Sequence, residues 1–147
     1  MEKTLSENIE IAWENIQKEI EDSDDILISS EKTLVFKFAM ELTKLYNCEN
    51  IAIDFEVKLY EEIDGSDKYL DLLVYQLDKS SEKYAIEFKA PMQSASGNSN
   101  QTVTRKKIYK DIARLSYLKE NKYIYNGYFL MITNEKLYFN SSSNTTP

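Results

Sequence analysis

Residues 69–91 read YLDLLVYQLDKSSEKYAIEFKAP, and the arrangement of the rest of the chain follows from this stretch. Two apolar runs, about 69–77 and 83–89, flank the polar segment LDKSSEK, which predicts two strands joined as a hairpin. Asp71 lies near the start of the first run, and Glu87 and Lys89 close the second. Residues two apart in a strand project from one face. Glu87 and Lys89 therefore point together, while Phe88 turns the other way into a core. Pairing of the two runs brings Asp71 close to both. Pro91, with no N–H to donate, stops the ladder.

Upstream, IAIDFEVKLY alternates Ile51, Ile53, Phe55, Val57 and Leu59 with polar residues, the pattern of a half-buried first strand. EEIDGSD then turns around Gly65. Two amphipathic helices come earlier still. Leu5, Ile9, Ala12, Ile16 and Ile20 recur at helical spacing with Trp13 beside them. Leu34/Val35, Phe38, Leu42 and Leu45 form the stripe of the second, which Ser29 or Ser30 would cap. The acidic run EDSDD at 21–25 separates the two as a solvated loop. Downstream, MQSASGNSNQTV (92–103) is small, polar and glycine-containing, a composition that predicts a mobile loop. A helix is expected over about 103–119 with Ile108, Ile112, Leu115 and Leu118 inward. YIYNGYFLMIT is a fourth strand, LYF at 137–139 a short fifth, and 141–147 a disordered tail. This order predicts an α/β (α+β) fold, one domain over 1–140 with a central mixed β-sheet flanked by helices. The crossover through the basic helix implies parallel pairing of the third and fourth strands.

Composition narrows the chemistry. With 147 residues, 42% of them hydrophobic, the chain is long enough for one cored domain. No apolar run approaches the ~18 residues of a membrane span. The charged start MEKTLSENIE reads as helix rather than signal peptide. A single cysteine, Cys48, excludes an internal disulfide and leads to the expectation of a reducing, cytoplasmic setting. The chain has no histidine, which eliminates Ser-His-Asp and Cys-His catalysis and histidine-based metal sites together. The net charge of −7 argues against general nucleic-acid binding, yet TRKKIYK at 104–110 is locally basic.

Two carboxylates beside an ammonium suit magnesium-dependent phosphodiester hydrolysis. Asp71 and Glu87 would hold a hard cation through oxygen. Lys89 would orient the attacking water or stabilise developing charge. The competing reading of Glu87 and Lys89 is an exposed ion pair on an edge strand, worth little in stability. Glu31 opens the second helix on the face of Val35. It is either a first-turn acid favoured by the helix dipole or a side chain turned toward the metal. Gln101, Arg105, Lys106, Lys107 and Lys110 would contact phosphates, or form a solvated helix start. Cations near a helix N-terminus run against the dipole, which favours the first reading. Tyr109, Arg114 and Tyr117 would line the groove, although tyrosine at helical spacing more often packs.

Asp71 followed by Glu87-Phe88-Lys89, set in this order of elements, resembles the PD-(D/E)XK nuclease superfamily of restriction-endonuclease-like fold. Leu70 stands where the family name has proline. SEKTLVFKFAMEL looks like the family's first core helix, with Glu31 as its additional acid. Asp111, Arg114 and Leu115 in YKDIARL, and Ile132-Thr133-Asn134-Glu135, are similar to patterns of an uncharacterised bacterial branch. The resemblance spans roughly residues 30–139. It implies an endonuclease dependent on Mg2+ (or Mn2+), with Asp71, Glu87 and the main-chain carbonyl of Phe88 as metal ligands and Lys89 and Glu31 completing the site. It favours DNA over RNA as substrate, and a homodimer where both strands are cut. The alternative is the same fold without turnover, a binding or regulatory module acting through a protein partner, since no added surface for reading bases is evident. Mimicry of nucleic acid by an acidic face is weaker, because the acids are spread along the chain.

Overall fold

The structure, a computed structural model, describes residues 2–22, 30–59, 69–90 and 101–132. Helix α1 (Leu5–Asp22) starts with a reciprocal cap. Glu7 N–H donates to Thr4 Oγ1 (3.1 Å) and Thr4 N–H to Glu7 Oε1 (3.3 Å), the two-way arrangement of a Thr-x-x-Glu box. Its expected stripe is buried at Leu5, Ile9, Ala12 and Ile16, with Ile20 and Trp13 packed at the margin. Helix α2 (Glu31–Leu45) is capped by Ser30, whose Oγ accepts from Thr33 N–H at 3.1 Å. Leu34, Val35, Phe38, Ala39 and Leu42 are buried along it.

The chain leaves α2 through three left-handed residues, Asn47, Cys48 and Asn50, before entering β1 (Ile51–Lys58). β1 pairs antiparallel with β2 (Tyr69–Gln76), from Ile51–Gln76 to Lys58–Tyr69. β2 pairs antiparallel with β3 (Tyr84–Lys89) at Leu72–Ile86, Leu73–Ala85 and Val74–Tyr84. The link between them carries a turn of 3-10 helix at Leu77–Lys79. α3 (Gln101–Glu120) then crosses to β4 (Asn126–Met131), which lies parallel to β3 in register from Tyr84–Asn126 to Lys89–Met131. The sheet order is β1-β2-β3-β4. The result is the mixed α+β architecture expected, with three helices and a four-stranded sheet among the described residues.

Helices cover both faces of the sheet. On one side α1 and α2 pack on Leu72, Val74, Tyr84, Ile86, Phe88 and Leu130. Phe38 and Phe88, both fully buried, meet edge to face with centroids 5.4 Å apart. On the other side Leu115 and Leu118 of α3 pack with Leu70, Leu73, Ala85 and Ile124. Gly127 lets α3 approach β4 closely, because a Cβ there would lie 3.2 Å from Leu115 Cβ.

Three expectations need adjusting. Phe55 is 51% exposed rather than inward, since Glu56 at φ 50° interrupts the alternation and burial lapses over Asp54–Glu56. Ile112 is likewise exposed, at 43%. The inward face of α3 runs instead through Asp111, Arg114, Leu115 and Leu118, a spacing that excludes Ile112. β4 is shorter than the apolar run suggested, leaving Tyr123 and Tyr125 exposed before it. The Gly65 turn, Pro91 and most of the 92–103 loop, the 137–139 strand and the 141–147 tail lie outside the described residues.

Candidate active site

Strand alternation aims the site. Tyr84, Ile86 and Phe88 point into the α1/α2 core, and Ala85 into the α3 core. Glu87 and Lys89 continue the α3 side by the two-residue period. The β2–β3 pairs end at Leu72–Ile86, and just beyond them the Asp71 carboxylate accepts a hydrogen bond from Phe88 N–H at 2.8 Å. One oxygen of Asp71 is thus anchored to the backbone of the residue between Glu87 and Lys89. That contact explains why an acid seventeen residues upstream arrives at the same point.

Here the sheet and α3 enclose a cavity of about 180 Å³. Asp71, Glu87, Lys89, Asp111 and Arg114 form its walls, with Tyr69, Lys107 and Lys110 also lining it. Lys89 Nζ lies between two carboxylates, 3.3 Å from Asp111 Oδ2 and 3.6 Å from Glu31 Oε1 at the start of α2. Arg114 Nη2 stands 4.0 Å from Glu87 Oε1 and in direct contact with Asp111 Oδ1, three residues earlier on the same helix.

Glu87 is 2% exposed, and its carboxyl is pushed up to about 9. Burial is the main cause. The charges of Asp71 and Asp111 and a hydrogen bond with Asp71 add to it, and Arg114 opposes it. The carboxyl therefore carries a proton at neutral pH. Burial acts on Lys89 in the downward sense, but Asp111 and Glu31 outweigh it, so the ammonium is held above its ordinary value and stays charged.

Asp71 and Glu87 are the residues that could hold a divalent cation here. The proton on Glu87 neutralises a pair of hydrogen-bonded carboxylates where a cation would do the same. Asp111 Oδ2 already faces the Lys89 ammonium at 3.3 Å. Among the described residues no group of three or more His, Cys, Asp and Glu is arranged to hold a metal ion. Magnesium needs no such cage, since one or two carboxylates completed by water and substrate phosphate suffice.

Of the residues singled out from sequence, Asp71, Glu87 and Lys89 meet in the cavity, and Glu31 joins them through Lys89. Lys107, Lys110 and Arg114 line the cavity, whereas Arg105 and Lys106 are not among its lining residues. Tyr109 and Tyr117 are exposed on α3 and do not line it either. Gln101 begins α3, and its side chain is outside the description. The sequence reading gave Asp111 and Arg114 no contact with the acids and lysine of the strands, and it did not single out Tyr69. A signal for the first two was present, because they share the helical face of Leu115 and Leu118, and charged residues on an apolar face call for a buried partner. Compared with protein-family models, curated proteins and solved structures, the chain finds no match.

Proposed function

We propose that this chain is a metal-dependent nuclease of the PD-(D/E)XK type, hydrolysing phosphodiester bonds in nucleic acid with DNA favoured over RNA. The observation that carries the proposal is the convergence of Asp71, Glu87 and Lys89 on one cavity. Lys107 and Lys110 on α3 give that acidic centre a basic rim, the sign pattern that suits an anionic substrate and a cation beneath it.

Asp71 and Glu87 would hold Mg2+, with the Phe88 main-chain carbonyl as the further oxygen that the resemblance implies. A bound magnesium would neutralise charge on the scissile phosphate and sharpen a water nucleophile. Lys89, charged and fixed by Asp111 and Glu31, presents an N–H donor to that water or to a phosphoryl oxygen. Lys107 and Lys110 fix the flanking phosphates as point charges. The cavity has room for a phosphate and a few waters.

A second reading has a specific observation behind it. Arg114 already supplies a cation to Asp111 beside the Glu87 carboxyl, as it would in a fold kept for binding a partner without turnover. The test of both is cleavage of plasmid, single-stranded DNA and RNA in Mg2+ or Mn2+, with the Glu87→Ala/Lys89→Ala double variant as control. Metal-dependent cleavage by the wild type alone is the expected result. No cleavage and no metal binding by a folded wild type overturns the nuclease reading in favour of the second.

A further inference from the structure

The residues that would perform the chemistry come from β2 and β3, but the groups that hold them in place come from α3. Asp111 and Arg114 are buried, at 4% and 8% exposure, on a helix whose remaining inward residues are leucines. A charged pair in that position needs a reason beyond helix packing, because burying two ions costs more than an apolar pair of similar volume. The reason lies in what each one touches. Lys89 is held by two acids of unequal strength. The Asp111 side chain is 6% exposed and close at 3.3 Å, whereas Glu31 is 46% exposed and 3.6 Å away. The attraction of the exposed acid is screened by water and salt, so the buried one governs where the ammonium rests. Arg114 in turn contacts Asp111 directly and stands 4.0 Å from Glu87.

We infer that Asp111 and Arg114 are positioning residues for the proposed nuclease reaction. Asp111 holds the Lys89 ammonium inside the cavity, and Arg114 holds Asp111 and Glu87 at a fixed separation. Both act through Lys89 and Glu87. Without Asp111, Lys89 keeps Glu31 as an ion-pair partner with Asp71 acting at longer range, and swings toward solvent, leaving the water it serves. Lys110 is adjacent to Asp111 in sequence and Lys107 is one helical turn before it, so the helix that receives the substrate's phosphates also aligns the lysine and the acid of β3. This inference rests on the nuclease reading of the preceding section.

The experiment is a kinetic cycle on the full chain with the nucleic acid that the wild type cleaves. It uses Asp111→Asn, Lys89→Gln and the double variant, with thermal unfolding of each protein. Displacing a catalytic group by about an ångström costs on the order of 100-fold, so Asp111→Asn should lower kcat by about 10- to 100-fold with KM little changed. A merely structural role predicts instead that the loss in activity follows the loss in folded protein. Because Asp111 acts through Lys89, adding Asp111→Asn to Lys89→Gln should lower kcat no further. Full additivity of the two losses, or wild-type kcat in folded Asp111→Asn, overturns the inference and leaves the nuclease reading standing. If Asp111→Asn does not fold at assay temperature, Arg114→Lys replaces it. That variant keeps the charge but not the planar guanidinium whose Nη2 faces both Asp111 and Glu87, and it should show the same fall in kcat, whereas wild-type kcat there overturns the inference. A folded wild type that cleaves nothing in Mg2+ or Mn2+ removes both readings together.

Discussion

Replacing Glu87 by glutamine should make the metal-free protein more stable at alkaline pH and remove most of its pH dependence. In the fold the Glu87 carboxyl is raised from the ordinary 4.5 to about 9 by burial and by Asp71 and Asp111. Between those values the native state binds a proton that the unfolded chain has released. The stabilisation is thus complete below about pH 4.5 and is lost as pH rises through about 9. Each pH unit in that window is worth up to about 1.4 kcal/mol, which sets a ceiling of about 6 kcal/mol. Arg114 stands 4.0 Å away and water can enter the adjoining cavity. The effective penalty of a buried ion after such relaxation is several kcal/mol, so the wild type should lose about 3–5 kcal/mol between pH 5 and 9. The glutamine of the variant cannot ionise, yet its amide can still donate to Asp71. The stability curve of Glu87→Gln should be nearly flat over this range and lie above the wild-type curve at pH 8. Urea unfolding at a series of pH values in the presence of a chelator measures both. Saturating Mg2+ should flatten the wild-type curve, because a metal takes the deprotonated carboxylate and displaces the proton. Parallel curves for wild type and Glu87→Gln across pH 5–9 would refute the reasoning.

Further predictions concern the elements that place the site. Phe38→Ala removes a fully buried ring from its contact with Phe88 and should cost about 3–5 kcal/mol in urea unfolding, with Lys89 chemistry retained in the folded fraction. Gly127→Ala puts a methyl 3.2 Å from Leu115 Cβ, an atom fixed to the α3 backbone, and should cost about 1–3 kcal/mol. Ser30→Ala removes the cap of α2 and should cost about 1 kcal/mol in the same assay. Lys107→Ala and Lys110→Ala should each reduce by about one the slope of log affinity against log salt, measured with an oligonucleotide in the Glu87→Ala/Lys89→Ala background.

The element order, the mixed sheet and the faces of β3 were legible along the chain. They rest on short-range periodicities, two residues in a strand and about 3.6 in a helix, which solvent imposes on any half-buried element. Glu87 and Lys89 could be paired from sequence because they are two residues apart on one strand. Asp71 could be joined to them because a hairpin brings its strands together. The stripes of α1 and α2 follow the same logic, and all the residues their spacing singled out are buried except Ile20 and Leu45, which pack partly buried at the ends of the helices.

Which face of α3 meets the sheet was settled by packing across the fold. An apolar count favours Ile108, Ile112, Leu115 and Leu118, but Leu115 and Leu118 share their face with Asp111 and Arg114. That face can be buried because Asp111 is paired with both Arg114 and the Lys89 ammonium opposite it, while Arg114 stands over the Glu87 carboxyl. The compensation joins residues twenty-two and twenty-seven positions apart, so no local pattern contains it. The breakdown of alternation at Phe55 is likewise nonlocal, since it depends on the left-handed turn at Glu56 beside the strand that carries Asp71. Periodicity is written along the chain, whereas charge compensation is written across the gap between a helix and a sheet.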